Sequence, residues 1–285
     1  HMWTRRQRQM CIRDRKNEVY LQIESDPHVF YELSDQFTFE LPGAKFMPQY
    51  RKRYWDGKIR LFNINNGQIY VGLLDKIKKF CEDHDYSYSF VDNEYYGTPF
   101  EVNENISYEG VKDYITSISK YAPREYQVEG VYDALRHNRK LLISPTASGK
   151  SLMIYSIVRY YVERGENTLI VVPTTSLVEQ MYKDFADYGW DVGSFCHKIY
   201  AGKERETDSQ VIITTWQSIY KLPRKYFERF SVVIGDEAHQ FKSKSLISIM
   251  TKLDHAKYRF GFTGTLDGTQ TVSYTHLRAH ETAQY

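Results

Sequence analysis

A chain of 285 residues, 41% hydrophobic and 26% charged, has room for two domains and enough apolar material for real cores, so wholesale disorder is excluded. No window approaches the roughly 18 uninterrupted apolar residues of a membrane span, and no apolar run follows the early arginines as a secretory signal requires. The net charge of +2 hides local imbalance, since residues 1–16 carry a net +5, residues 272–285 a net zero and residues 17–271 a net −3. Any nucleic-acid footprint must therefore be a local patch and not a global field. The cysteines, Cys11, Cys81 and Cys196, have neither disulfide nor zinc spacing and read as buried or idle thiols in a reducing cytosol.

The run Met10–Arg15 and the tail Val272–Tyr285 resemble translated adapter sequence, and neither shows a helix or strand period. Residues 1–16 and 272–285 are expected to be a non-native arm and tail that take no part in the fold. Residues 18–24 alternate apolar and polar as a strand does. Ser25 or Asp26 can cap a following helix with Pro27 at its first position. Strand-like runs at 58–63 and 68–74 flank Asn65-Asn66-Gly67, whose last pair tolerates the positive φ of a tight turn. A helix over Asp75–His84 and a strand over Tyr86–Val91 complete a small α+β domain, 17–106, whose end is a polar linker. A helix over 107–120 opens the next domain, 107–271. There, apolar runs at Lys140–Ile143, Thr168–Val172, Val211–Thr214, Val232–Gly235 and Arg259–Phe262 are spaced by helix-like segments. Strands buried on both faces and separated by helices predict a doubly wound parallel α/β sheet.

Two runs carry chemistry. Leu142-Ile-Ser-Pro-Thr-Ala-Ser-Gly-Lys-Ser151 follows a strand and opens a helix, the context of a phosphate-binding loop. Thr146, Ala147, Ser148 and Gly149 would curl backbone N–H groups around phosphate oxygens, and the helix N-terminus adds partial positive charge. Lys150 would reach the β and γ phosphates and Ser151 would ligate Mg²⁺. Ser144 stands where the usual first glycine would be. Val232-Val-Ile-Gly-Asp-Glu-Ala-His239 sets two carboxylates at the end of a buried strand, 86 residues after Lys150. Asp236 would hold Mg²⁺ and Glu237 would orient or deprotonate the attacking water.

Together these boxes resemble the first RecA-like domain of a superfamily 2 helicase, over roughly residues 120–268. Smaller boxes fall in the family's order. Arg124-Glu-Tyr-Gln127 resembles the adenine-reading element, with the Gln127 amide toward the base. Val172-Pro173-Thr174-Thr175 and Thr214-Thr215-Trp216-Gln217 resemble the motifs that contact a nucleic-acid backbone. Thr263-Gly-Thr265 resembles the motif that couples hydrolysis to strand movement, with Gly264 in place of the family's alanine, and His239 belongs to the same coupling. Within the superfamily the likeness to helicases of phage recombination extends to Tyr54–Leu61. It implies an ATP- and Mg²⁺-dependent DNA helicase that unwinds branched DNA and RNA–DNA hybrids, acting as a monomer in the host cytoplasm, away from membranes. The family hydrolyses ATP between two RecA-like domains, and no second sheet follows Thr265, so the chain is expected to be an inactive part of a motor. A restriction-system DNA translocase and a nucleotide-dependent binding module without motor activity are the alternatives.

Residues 45–60 carry six Lys/Arg against one Asp. Arg51, Lys52, Arg53, Lys58 and Arg60 are expected to contact nucleic-acid phosphates. Tyr50, Tyr54 and Trp55 are expected to pack into a small core rather than to stack on bases.

Overall fold

A computed structural model of the protein describes residues 9–13, 16–41, 43–91, 102–145, 148–200, 207–238, 244–264 and 283–284. The chain divides into two compact units, residues 1–99 and 100–285. That division falls before residues 102–106, which the sequence assigns to the linker of the first domain. The Asn103 N–H donates to the Arg136 carbonyl at 2.7 Å, and Ile106 packs on the second unit's core. Among the described residues no helix is long and apolar enough to cross a membrane.

The first unit runs β1 (Gln9–Arg13), β2 (Tyr20–Glu24), α1 (Pro27–Gln36), β3 (Thr38–Glu40), α2 (Pro48–Arg51), β4 (Lys58–Arg60), β5 (Phe62–Asn63), β6 (Gln68–Tyr70), α3 (Leu74–Asp83) and β7 (Ser87–Val91). Its main sheet has the order β5-β6-β2-β1-β7, and a second sheet pairs β3 with β4. The arm expected to stay outside the fold instead supplies β1. It pairs antiparallel with β2 and parallel with β7, and Met10 is fully buried. Five residues are too few to display a period, and two neighbouring strands satisfy their backbone groups. The β5–β6 hairpin turns at Gly67, which has φ 64°. A Cβ there would lie 2.3 Å from the Ile23 carbonyl oxygen, so both the conformation and the space require glycine.

The second unit runs α4 (Tyr108–Ile118), α5 (Glu125–His137), β8 (Arg139–Ile143), α6 (Lys150–Val162), β9 (Thr168–Val172), α7 (Thr175–Asp187), α8 (Val192–Phe195), β10 (Cys196–Ile199), β11 (Val211–Thr215), α9 (Trp216–Ile219), α10 (Arg224–Phe227), β12 (Val232–Gly235), α11 (Lys244–Lys252), β13 (Tyr258–Thr263) and β14 (Ala283–Gln284). One parallel sheet has the order β10-β11-β9-β12-β13-β8-β14. Its last strand comes from the expected tail. Side chains alternate between faces. Ile170, Val172, Val232 and Ile234 join one core with α5, α6 and α7, while Leu169, Val171 and Val233 join another with α10 and α11. This is the doubly wound parallel fold expected of the sequence. β8 and β9 are consecutive in the chain but separated in the sheet by β12 and β13. The C-terminal ends of β8, β13 and β12 therefore lie side by side, where ligands bind in such sheets.

Candidate nucleotide site and nucleic-acid surfaces

The loop between β8 and α6 leaves the sheet beside β13, as the Ser144 N–H donates to the Thr263 carbonyl at 2.8 Å. Thr146 and Ala147 lie outside the described residues. Ser144, at the usual glycine position, is fully buried, and its hydroxyl is hydrogen-bonded to that of Ser148. The Ser148 hydroxyl also donates to the Pro145 carbonyl at 2.7 Å. The departure from glycine thus becomes a side-chain tie across the loop. Gly149, with φ 78°, turns the chain into α6, which begins at Lys150.

The acidic box meets this loop. Beyond β12, the Asp236 N–H donates to the Val171 carbonyl at 3.0 Å, and Asp236 is buried. Its Oδ1 accepts the Glu237 N–H at 3.0 Å, which helps hold Glu237 at a left-handed φ of 51°. Lys150 Nζ and Glu237 Oε1 form a half-buried ion pair at 2.9 Å. The sequence assigns Glu237 to a water; here it neutralises the lysine meant for phosphate. Thr263, fully buried at the end of β13, lies between the two boxes in strand order. His239 and Thr265 lie outside the described residues. Among the described residues no group of three or more His, Cys, Asp or Glu could hold a metal ion by itself. Ser151 and Asp236 instead offer hard oxygen donors, which suit Mg²⁺ when phosphates and water complete its shell.

The helix α5 is tied to the same loop. Gln127 is buried, its Oε1 accepts the Arg124 N–H at 2.9 Å, and its Nε2 donates to the Ser148 carbonyl at 2.9 Å. A Cβ on Gly149 would come within 2.2 Å of that nitrogen, so glycine is needed for the approach as well as the turn. The Tyr126 hydroxyl donates to the same Ser148 carbonyl at 2.6 Å and accepts from Arg124 Nη1 at 3.1 Å. Beside these groups opens a pocket of about 330 Å³, lined in part by Tyr121, Arg124, Gln127, Gly149, Asp184 and Tyr188. Burial, reinforced by the Asp184 charge, pushes the Tyr188 phenol up to about 12. The sequence points to Gln127, and to Tyr126 only as part of the same run, whereas Tyr121, Asp184 and Tyr188 carry no motif and only the fold brings them to this pocket.

The two motifs assigned to a nucleic-acid backbone sit on adjacent strands. Pro173, Thr174 and Thr175 follow β9, and Thr215 ends β11 opposite Val172. The Thr174 hydroxyl accepts the Leu177 N–H at 3.3 Å and caps α7. Thr215 Oγ1 and Ser218 Oγ are hydrogen-bonded at 2.9 Å, and Gln217 Nε2 donates to the Pro173 carbonyl at 3.5 Å.

In the first unit, Arg51 ends α2, Lys52 and Arg53 follow it, and Lys58 and Arg60 lie on β4. Arg51, Lys52, Arg53, Lys58 and Arg60 are all exposed. Arg60 is partly neutralised by Asp56, at 2.5 Å between Nη2 and Oδ2 and 3.4 Å between Nη1 and Oδ1. The Arg60 hydrogen bond is the main cause that holds the Asp56 carboxyl below its usual range. The small core expected for the aromatics holds only in part. Trp55 is half-buried and donates to the Lys58 carbonyl at 2.9 Å, whereas Tyr54 is 83% exposed. Phe46, which the sequence reading passed over, is 77% exposed.

Residues 120–268 match the family described as type III restriction enzyme, res subunit, and residues 14–92 match the family of the DNA helicase UvsW N-terminal domain. The ATP-dependent DNA helicase uvsW of Enterobacteria phage T4 is 33% identical over 265 residues, covering 89% of this chain and 51% of that protein. The DNA 3'-5' translocase XPB2 of Sulfurisphaera tokodaii is 33% identical over 146 residues, covering 50% of this chain and 30% of that protein. A crystal structure of the UvsW helicase from bacteriophage T4 superposes with a TM-score of 0.84 at 30% identity, over 97% of this chain and 100% of that one. The chain spans about half the length of the phage relative and under a third of the translocase. A P-loop and acidic box joined through Lys150 and Glu237 on a parallel sheet, with a family match over more than half the residues, show that the chain belongs to the superfamily 2 helicases.

Proposed function

We propose that the whole protein is an ATP-dependent DNA helicase that unwinds branched DNA and RNA–DNA hybrids, and that this chain contributes a DNA-binding unit and the first RecA-like domain. The observation that supports this most directly is the Lys150–Glu237 pair, which brings the phosphate loop and the acidic box to one sheet edge. In this reading the base enters the pocket by Arg124 and Gln127, and the triphosphate runs along the loop to Lys150. Phosphate draws Lys150 away from Glu237, and the released carboxylate orients the attacking water. Ser151 and Asp236 would hold Mg²⁺, which when bound would supply charge neutralisation at the phosphates. Thr263, Thr265 and His239 pass the nucleotide state on to neighbouring motifs. Pro173, Thr174, Thr175, Thr215 and Gln217 grip a strand through its backbone, and Arg51, Lys52, Arg53, Lys58 and Arg60 hold a duplex. The protein acts as a monomer, and a phage-encoded copy works in the host cytoplasm.

A restriction-system translocase would use the same motor boxes. The match of residues 14–92 to the UvsW N-terminal family favours the helicase. Superfamily 2 motors draw transition-state arginines from a second RecA-like domain, a contribution of about 10³–10⁵ in rate in related hydrolases. This chain should therefore bind Mg²⁺-ATP and turn it over negligibly. Equilibrium binding and single-turnover hydrolysis, with Lys150→Ala as the blank, test this. Robust DNA-stimulated turnover would overturn the need for the second domain, and equal ATP binding by Lys150→Ala would overturn the site.

A further inference from the structure

We propose that Tyr126 is a positioning residue that aims the Gly149 N–H into the phosphate cradle; this rests on the nucleotide reading above. The Ser148 carbonyl accepts two hydrogen bonds, from the Tyr126 hydroxyl at 2.6 Å and Gln127 Nε2 at 2.9 Å. Both donors stand on the first turn of α5. Among the described residues no peptide bond is cis. In a planar trans peptide the carbonyl and the next N–H point to opposite edges. Drawing the Ser148 carbonyl toward α5 therefore turns the Gly149 N–H away from α5, at the N-terminal end of α6, where phosphate is favoured.

Ser148 is held from its other side as well. Its hydroxyl is bonded to Ser144 and to the Pro145 carbonyl, so the peptide has little freedom to rotate. Tyr126 is fixed in turn by Arg124 Nη1 at 3.1 Å. Arg124 and Gln127 line the pocket beside the loop, whereas Tyr126 does not. A base resting on Arg124 and Gln127 thus touches two members of a network whose third member sets the peptide plane. Occupancy at the base end is in this way mechanically joined to the direction of a phosphate-binding N–H.

Tyr126→Phe keeps the ring and removes the donor. Binding of ATP and of inorganic tripolyphosphate, which has no base, would be measured on the intact chain beside its melting temperature. Both ligands should weaken by about 5- to 10-fold, the equivalent of one hydrogen bond, with little change in melting temperature. Unchanged tripolyphosphate affinity would overturn the proposal. If the melting temperature also falls, the Gly149 amide resonance of ¹⁵N-labelled protein decides. A displaced free-state resonance that responds less to tripolyphosphate supports the role, and an unmoved one overturns it. Failure of the parent chain to bind either ligand would sink the nucleotide reading instead, and the free-state Gly149 resonance would still judge the aiming role.

Discussion

Glu237 sits in a left-handed conformation that costs a non-glycine residue on the order of 1 kcal/mol or more, and what it holds there is Lys150. Two opposite charges in a half-buried cleft stabilise each other, but the same lysine is needed by the phosphates. The pair and the nucleotide therefore compete. Glu237→Gln removes the competitor and one negative charge from the cleft. We expect it to tighten ATP binding by about 3- to 10-fold, as befits a partly buried pair of modest strength. In the complete enzyme the same change should abolish hydrolysis, because an amide is a poor base. Titration with a fluorescent ATP analogue checks the first part, and affinity equal to or weaker than the parent's would show that Lys150 is not held back. The positions of Lys150 and Asp236 were legible in the sequence, because strand–loop–helix grammar fixes where a P-loop and an acidic box must lie. Their pairing through Glu237 was not, since it depends on side-chain reach across a separation of 87 residues.

β13 shows the same limit at the scale of an element. The run Arg259–Phe262 reads as a buried strand, yet its first residue is an arginine that is fully buried. Its guanidinium donates to the carbonyls of Ala256 at 3.0 Å and Met250 at 3.3 Å, and to that of Leu253. These are acceptors at and beyond the end of α11, where a helix leaves its last carbonyls without internal partners and favours a cation. The arginine thus closes a helix from within a neighbouring strand. Arg259→Met keeps the apolar length and leaves buried carbonyls without their donor. We expect a loss of about 2–4 kcal/mol in the second unit, read from its urea transition by tryptophan fluorescence. A shift within error would mean that water replaces the guanidinium. Strands β9, β11 and β12 were legible because burial on both faces writes them as unbroken apolar runs. The edge strand β10, Cys-His-Lys-Ile, has two half-buried polar residues and gives no such run. β1 was missed for a related reason, as its membership is set by pairing with β2 and β7 rather than by its own pattern.

Across the whole molecule the electrostatics are uneven. Residues 17–271 carry a net −3, yet residues 45–60 carry a net +5. The sequence located this patch, but not which of its cations stay committed elsewhere. Arg60 is tied to Asp56 and brings less charge to a phosphate, whereas Arg51, Lys52 and Arg53 cluster at the end of α2 beside exposed Tyr54. Lys and Arg that neutralise phosphates release counterions, so duplex affinity should fall steeply with salt and show little sequence preference. Replacing Arg51, Lys52 and Arg53 together by alanine should weaken duplex binding uniformly across sequences. It should flatten the salt slope by up to about one unit per lost contact. ATP binding should not change, because the phosphate loop belongs to the second unit. Replacing Arg60 and Asp56 together by alanine should have a smaller effect than losing any one of the three, since the pair brings little net charge to a phosphate. Fluorescence anisotropy with labelled duplexes at several salt concentrations separates these cases. If the triple variant bound as tightly as the parent throughout, the patch would be solvated surface only, and nucleic-acid contact would rest on Pro173, Thr174, Thr175, Thr215 and Gln217 of the motor unit.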